Sequence, residues 1–195
     1  MRLLDTSACF PEASHDGRTH FAHDGVLPST PMIDHERALF VHTLRELYHL
    51  EAELENLQAE LATEATREEL EEYYMAHGET TSEQLARLDA LFDEIEGDLE
   101  AQLESGVEPG PIEDGPLEAL RADRDELVGD IQDPMLADVV DAELGRTIER
   151  LELSRLETLL TLADRMDLPS EIVDPLEQTY REAESGLEEL QGLPQ

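Results

Sequence analysis

The chain has 195 residues and a formal net charge of -36, from 49 acidic residues against 13 basic ones, all of them Arg. With one Cys (Cys9), it cannot build an intrachain disulfide framework. Its apolar runs fall short of the ~18 residues that a membrane span needs, and its field repels nucleic-acid phosphate.

Charge of this density destabilises a compact fold in dilute buffer, and molar salt screens it to a length of about 3 Å. The acids follow the amphipathic segments and form no separate tail. The composition therefore suits a cytoplasmic protein adapted to high salt. An acidic DNA mimic, or a binder of basic partners, is the other reading of the same charge. No cationic-then-apolar leader marks a secretory signal, and neither a membrane nor a nucleic acid is an expected partner.

Residues 1–33 contain Pro11, Gly17, Gly25, Pro28 and Pro31 with no sustained period, and are expected to form a flexible extension. His15, His20 and His23 lie there, as a metal-catching set or as a polar tail with scattered His. The folded part is expected over 34–195. Asp34 suits an N-cap, and Leu44, Leu47, Glu51, Leu54, Gln58 and Leu61 then recur at helical spacing, which predicts a helix over about 35–63.

Thr66 and Glu69 fit a capping box opening a second helix over about 67–104, with the stripe Leu70, Tyr74, His77, Thr81, Gln84, Leu88, Leu91 and Ile95. Gly106, Pro109, Gly110, Pro111 and Gly115 break the pattern. Pro116 suits the first position of a short helix over about 116–130. Asp133-Pro134 caps a helix over about 134–166, and Leu168-Pro169-Ser170 stops it and starts a last helix over about 170–191.

Short first and last connections imply antiparallel hairpins, and a long middle connection joins them. The fold class is all-α: a ferritin-like four-helix bundle with a short extra helix in the crossover. A continuous acidic coiled coil is disfavoured by the breaks at 106–115 and 168–170.

A surface Glu carries no information in this chain, but a polar residue inside an apolar stripe does, because burying it unpaired is costly. Glu51 interrupts the first stripe. His77, Thr81 and Gln84 occupy three successive stripe positions of the second. Glu149 and Glu152 lie three apart beside Ile148 and Leu151, and Glu182 adjoins Ala183. Each long helix thus places a polar group near mid-height. Carboxylates that converge in a low-dielectric core need a cation or protons between them. Two metal ions bridged by Glu, with His completing the shell, are one solution in four-helix bundles. Chance placement of Glu at stripe edges is the other reading. No Glu-x-x-His pair occurs on the second helix, and no His follows His77.

The run Phe40-Val41-His42-Thr43-Leu44-Arg45-Glu46-Leu47-Tyr48-His49-Leu50-Glu51 resembles the opening helix of the YciE/YciF family of ferritin-like stress proteins. The resemblance continues through His77, Glu79, Gln84, Arg87 and Leu88, through Asp133-Pro134 and Ile148-Glu149-Arg150-Leu151-Glu152, and through Leu176 to Glu182. It covers about residues 36–190 and implies a stress-response role, a homodimer and a dinuclear centre. Iron or manganese would be held by Glu51, His77, Gln84, Glu149, Glu152 and Glu182. The chain departs from the family at Thr80, Arg150, Leu151 and Ala183, which thins the donor set. Arg150 and Arg155 are candidates to neutralise a remaining carboxylate.

The functions to separate are a metal-handling or oxidoreductase protein and a metal-free bundle that works by self-association or as a scaffold. A carbohydrate site lacks the aromatic residues that sugars stack on, since the chain has no Trp, 4 Phe and 4 Tyr.

Overall fold

A computed structural model describes residues 36–99 and 116–193. They form α1 (Glu36–Glu64), α2 (Glu68–Leu99), α3 (Pro116–Asp130), α4 (Pro134–Met166) and α5 (Ser170–Gly192), with no strand among the described residues. The expected extension over 1–33, with its three His, and the expected last turn of the second helix over 100–104 lie outside the described residues.

The helix ends follow local chemistry. Asp133 caps α4 by accepting the Met135 N–H at 3.1 Å, and Pro134 sits where its missing N–H costs nothing. Asp167 closes α4 in the left-handed region (φ 53°), and Leu168 N–H then returns to the Ala163 carbonyl at 3.0 Å. The turn between α1 and α2 is held from a distance: the Thr66 and Arg67 N–H groups each donate to the buried Asp138 carboxylate at 2.9 Å. Asp138 belongs to α4, so this cap is invisible to local spacing.

Neighbouring helices run antiparallel, as their paired residues show. Tyr48 packs edge-on against Phe92, and Ser82 donates to Glu55, between α1 and α2. Glu46 meets Arg155, and Glu36 meets Arg165, between α1 and α4. Arg87 binds Thr179 and Glu182 between α2 and α5, and Arg146 reaches the Leu190 carbonyl between α4 and α5. These contacts close a circuit α1–α2–α5–α4, in which α2 and α4 run parallel. The chain therefore has to return along the molecule between them. α3 lies in that return and packs against α4. Its Arg124 donates to the buried Asp141 at 2.7 Å and to Glu64 at 2.6 Å.

Apolar side chains fill both ends of the interior. One end holds Phe40, Leu44, Leu47, Leu88, Ile95, Leu159 and Ile172; the other holds Leu57, Leu61, Leu70, Leu144 and Leu190. Burial of this kind contributes about 1.5–3 kcal/mol per large side chain. No helix of the described residues is long and apolar enough to cross a membrane.

Candidate functional site

Between the two apolar ends lies a polar layer. Glu51, Thr81, Gln84, Glu152 and Thr179 are fully buried, and Glu149 and His77 nearly so. The stripe interruptions therefore face inward. Every long helix contributes: Glu51 from α1, His77, Thr81 and Gln84 from α2, Glu149 and Glu152 from α4, and Thr179 from α5.

Two carboxylates are anchored by one oxygen. Tyr73 donates its hydroxyl to Glu149 Oε1 at 2.9 Å, and Gln84 Nε2 approaches Glu152 Oε1 at 3.4 Å. The other oxygens, Glu149 Oε2 and Glu152 Oε2, meet no N–H or hydroxyl donor, nor does either oxygen of Glu51, whose nearest polar contact is the Glu152 carboxyl. Gln84 Oε1, Thr81 Oγ1 and Gln58 Oε1 are likewise unpartnered. Orphaned buried acceptors in this number are costly and need a proton or a cation.

His77 Nε2 pairs with Glu149 Oε1 at 2.8 Å, a close contact set off the ideal hydrogen-bond line. Its ring stacks on Tyr73 with centroids 5.2 Å apart and planes 15° from parallel. Gly186 on α5 makes room for the pair. A Cβ there would fall 2.7 Å from His77 Cε1 and 3.2 Å from both Glu149 oxygens.

Electrostatics follow from this burial. Desolvation pushes the Glu51 carboxyl up to about 8, with the charges of Glu149 and Glu182 adding to the rise and the contact with Glu152 and the charge of His77 opposing it. Desolvation also drives Glu152 well above its ordinary value, and Glu51 and Glu149 reinforce that rise. Glu51 and Glu152 thus share protons when nothing else neutralises them. Burial lowers the His77 pKa, but the contact and charge of Glu149 and the charges of Glu51 and Glu189 outweigh it, so the net shift is upward.

Glu182 stands apart from this set. Arg87 grips it with both nitrogens, at 2.8 and 3.0 Å, and Gln178 adds a donor at 2.9 Å. Arg150 and Arg155, expected to neutralise a site carboxylate, pair instead with Glu143 and Glu46. The reason is helical phase: Arg150 faces outward from α4, Arg155 turns toward α1, and Arg87 reaches in from α2. Sequence reasoning also passed over Tyr73, whose place one residue before the stripe position Tyr74 gave no signal. Among the described residues, no three or more His, Cys, Asp or Glu side chains are drawn round a single point as ligands of an ion.

The class so defined is an all-helical protein whose core carries a layer of buried, incompletely partnered carboxylates. The family model described as "Domain of unknown function (DUF892)" matches residues 35–195, and the chain belongs to that family. The resemblance read from the sequence is borne out. Two solved structures have a similar fold. YcfI from Rhodopseudomonas palustris is 22% identical with a TM-score of 0.74, covering 85% of this chain and 99% of that one. The E. coli stress protein YciF is 22% identical with a TM-score of 0.70, covering 82% and 94%. No curated protein matches the sequence.

Proposed function

We propose that this chain is a ferritin-like stress-response protein, a four-helix bundle that binds iron or manganese in its polar layer and works in concentrated salt. The single observation that carries this reading is the set of buried carboxylate and amide oxygens without a hydrogen-bond donor on Glu51, Glu149, Glu152 and Gln84, gathered beside the His77 imidazole that pairs with Glu149. The donor types, carboxylate oxygen and imidazole nitrogen, suit divalent iron and manganese.

A bound metal would supply Lewis acidity and one-electron chemistry toward oxygen or peroxide. The chain's own residues prepare the place. Tyr73 and Gln84 fix one oxygen of Glu149 and of Glu152, which leaves the second oxygen of each pointing into the layer. The Tyr73 ring holds the His77 plane, and Gly186 keeps the space above it clear. The apolar ends exclude bulk water. The resemblance implies two ions, and two ions call on the fourth carboxylate, Glu182.

Metal analysis of protein purified in molar salt without chelator tests this reading. At least one iron or manganese per chain is expected, lost when Glu51 and Glu152 are both changed to Gln. A metal-free chain that also fails to take up added manganese would overturn it. A metal-free bundle working by self-association would then stand, with Leu127, Met135, Leu136 and Val139, exposed around the α3–α4 joint, as its contact surface.

A further inference from the structure

Gly78 lies in the interior of α2, where glycine is less stable than alanine. Gly145 and Gly186 have a packing reason: a Cβ would fall 2.8 Å from the Tyr74 hydroxyl at the first and 2.7 Å from His77 Cε1 at the second. Gly78 has none. Beyond its own helix, a Cβ there would meet one atom among the described residues, Gln58 Oε1, at the ordinary contact distance of 3.6 Å. That oxygen has no hydrogen-bond donor, on a residue only 1% exposed. The space a side chain would fill is therefore open, and an unpaired buried acceptor borders it.

Gly78 lines a groove of about 470 Å³ between α1 and α2, within the size range of small-molecule sites. The hydroxyls along it are spent on the protein itself: Thr63 donates to the Ala59 carbonyl at 2.9 Å, Tyr74 to the Asp141 carbonyl at 2.7 Å, and Ser82 to Glu55 at 2.6 Å. What the groove still offers is acceptors. Glu55, Glu71 and Glu79 bring carboxylates, and no Arg or His is among the described residues that line it. Acids alone distinguish nothing in a chain with 49 of them; the bare Gly78 and the unpaired Gln58 oxygen single this groove out. Between the carboxylates its walls are apolar, with Ala59, Ala62 and the exposed Met75.

We propose that this groove binds an aliphatic polyamine. One ammonium settles beside Gly78, slightly deeper than a Cβ would reach, and donates to Gln58 Oε1 and to the neighbouring Glu79. The methylenes lie along Ala59, Ala62 and Met75. A second ammonium meets Glu71, eight residues from Glu79 on α2 and about 12 Å along the helix axis. That separation suits a ligand with charges at both ends rather than a single lysine-like ammonium. The site is independent of whether the polar layer holds metal.

Nuclear magnetic resonance titration of the full chain with spermidine in molar sodium chloride tests this. Screening to about 3 Å suppresses diffuse attraction to the net charge of -36, so a built site is what remains. Saturable shifts of the Gln58 side-chain amide and the Gly78 backbone amide are expected, with one spermidine per chain. Gly78→Ala should weaken binding by about tenfold or more while the thermal midpoint holds or rises. Gln58→Met, which keeps the length and removes the acceptor, should lose as much. Glu157→Gln, an exposed acid on α4 away from the groove, should leave affinity within about twofold. Binding that vanishes in molar salt, binds many spermidines per chain, or persists unchanged in both Gly78→Ala and Gln58→Met would overturn the proposal. A Gly78→Ala variant with a clearly lower thermal midpoint would overturn the reading of Gly78 as a space kept open. Equal affinity for Nα-acetyl-lysine amide, which carries a single ammonium, would overturn the polyamine assignment.

Discussion

Raising the pH of the metal-free protein from about 5 to about 8 should weaken the fold, because Glu51 holds a proton in the native state that the unfolded chain gives up. Desolvation moves its pKa from 4.5 to about 8. Between those values the native state binds more protons than the unfolded state, so stability falls as pH rises. The contribution is intact below 4.5 and lost progressively up to about 8. At about 1.4 kcal/mol per pH unit the ceiling is roughly 5 kcal/mol. Glu152 shifts in the same direction for the same cause, but it shares protons with Glu51, so the two do not simply add. His77 acts with the same sign. Its raised pKa gives stability present below the ordinary value of 6.5 and lost as pH climbs through the native value. Urea unfolding in molar salt with chelator, at half-unit steps of pH, measures the slope. Glu51→Gln keeps the shape and removes one titrating partner, so its slope should be visibly smaller and its stability at pH about 8 higher than wild type. A wild-type stability that is flat or rising across this window, or a Glu51→Gln variant with the full wild-type slope, would refute the burial argument.

Gly186→Ala should cost about 1–3 kcal/mol, because its Cβ would overlap His77 Cε1 at 2.7 Å. Manganese affinity measured by calorimetry should fall with it. Arg124→Met leaves Asp141 buried without its 2.7 Å partner and should cost roughly 2–3 kcal/mol, the lower side of a buried pair because Glu64 on the other nitrogen is half exposed. Hydrogen exchange should show α3 losing protection before the long helices do. Asp167→Gly relieves a non-glycine residue at φ 53° and should raise stability by about 0.5–1 kcal/mol in thermal or urea unfolding.

Helix positions were legible where the chain states its own punctuation. Pro116, Asp133-Pro134 and Leu168-Pro169-Ser170 fixed three boundaries by local geometry, and the structure places helix starts at Pro116, Pro134 and Ser170. Burial of Glu51, His77 and Gln84 was legible because each interrupts a periodic stripe whose phase dictates the direction of the side chain; Glu149 and Glu152 were legible only as neighbours of Ile148 and Leu151, three apart on nearly one face of α4. Pairing between helices was not legible. Arg87 with Glu182, Asp138 with the α1–α2 turn and Arg124 with Asp141 join residues at least 17 positions apart. Helical period fixes a residue's face but not its height against a neighbour, and that height depends on the packing register of whole helices. Tyr73 escaped for a related reason. Its neighbour Tyr74 matched the stripe, and only the tight approach of α5 at Gly186 lets the Tyr73–His77–Glu149 stack form.

Anomalous diffraction from crystals grown with manganese in molar salt tests the carboxylate cluster most directly. The anomalous peak is expected inside the bundle, within bonding distance of Glu51, Glu149, Glu152 and His77. Manganese found only on the acidic outer faces, with no anomalous peak in the layer, would contradict a metal-binding core.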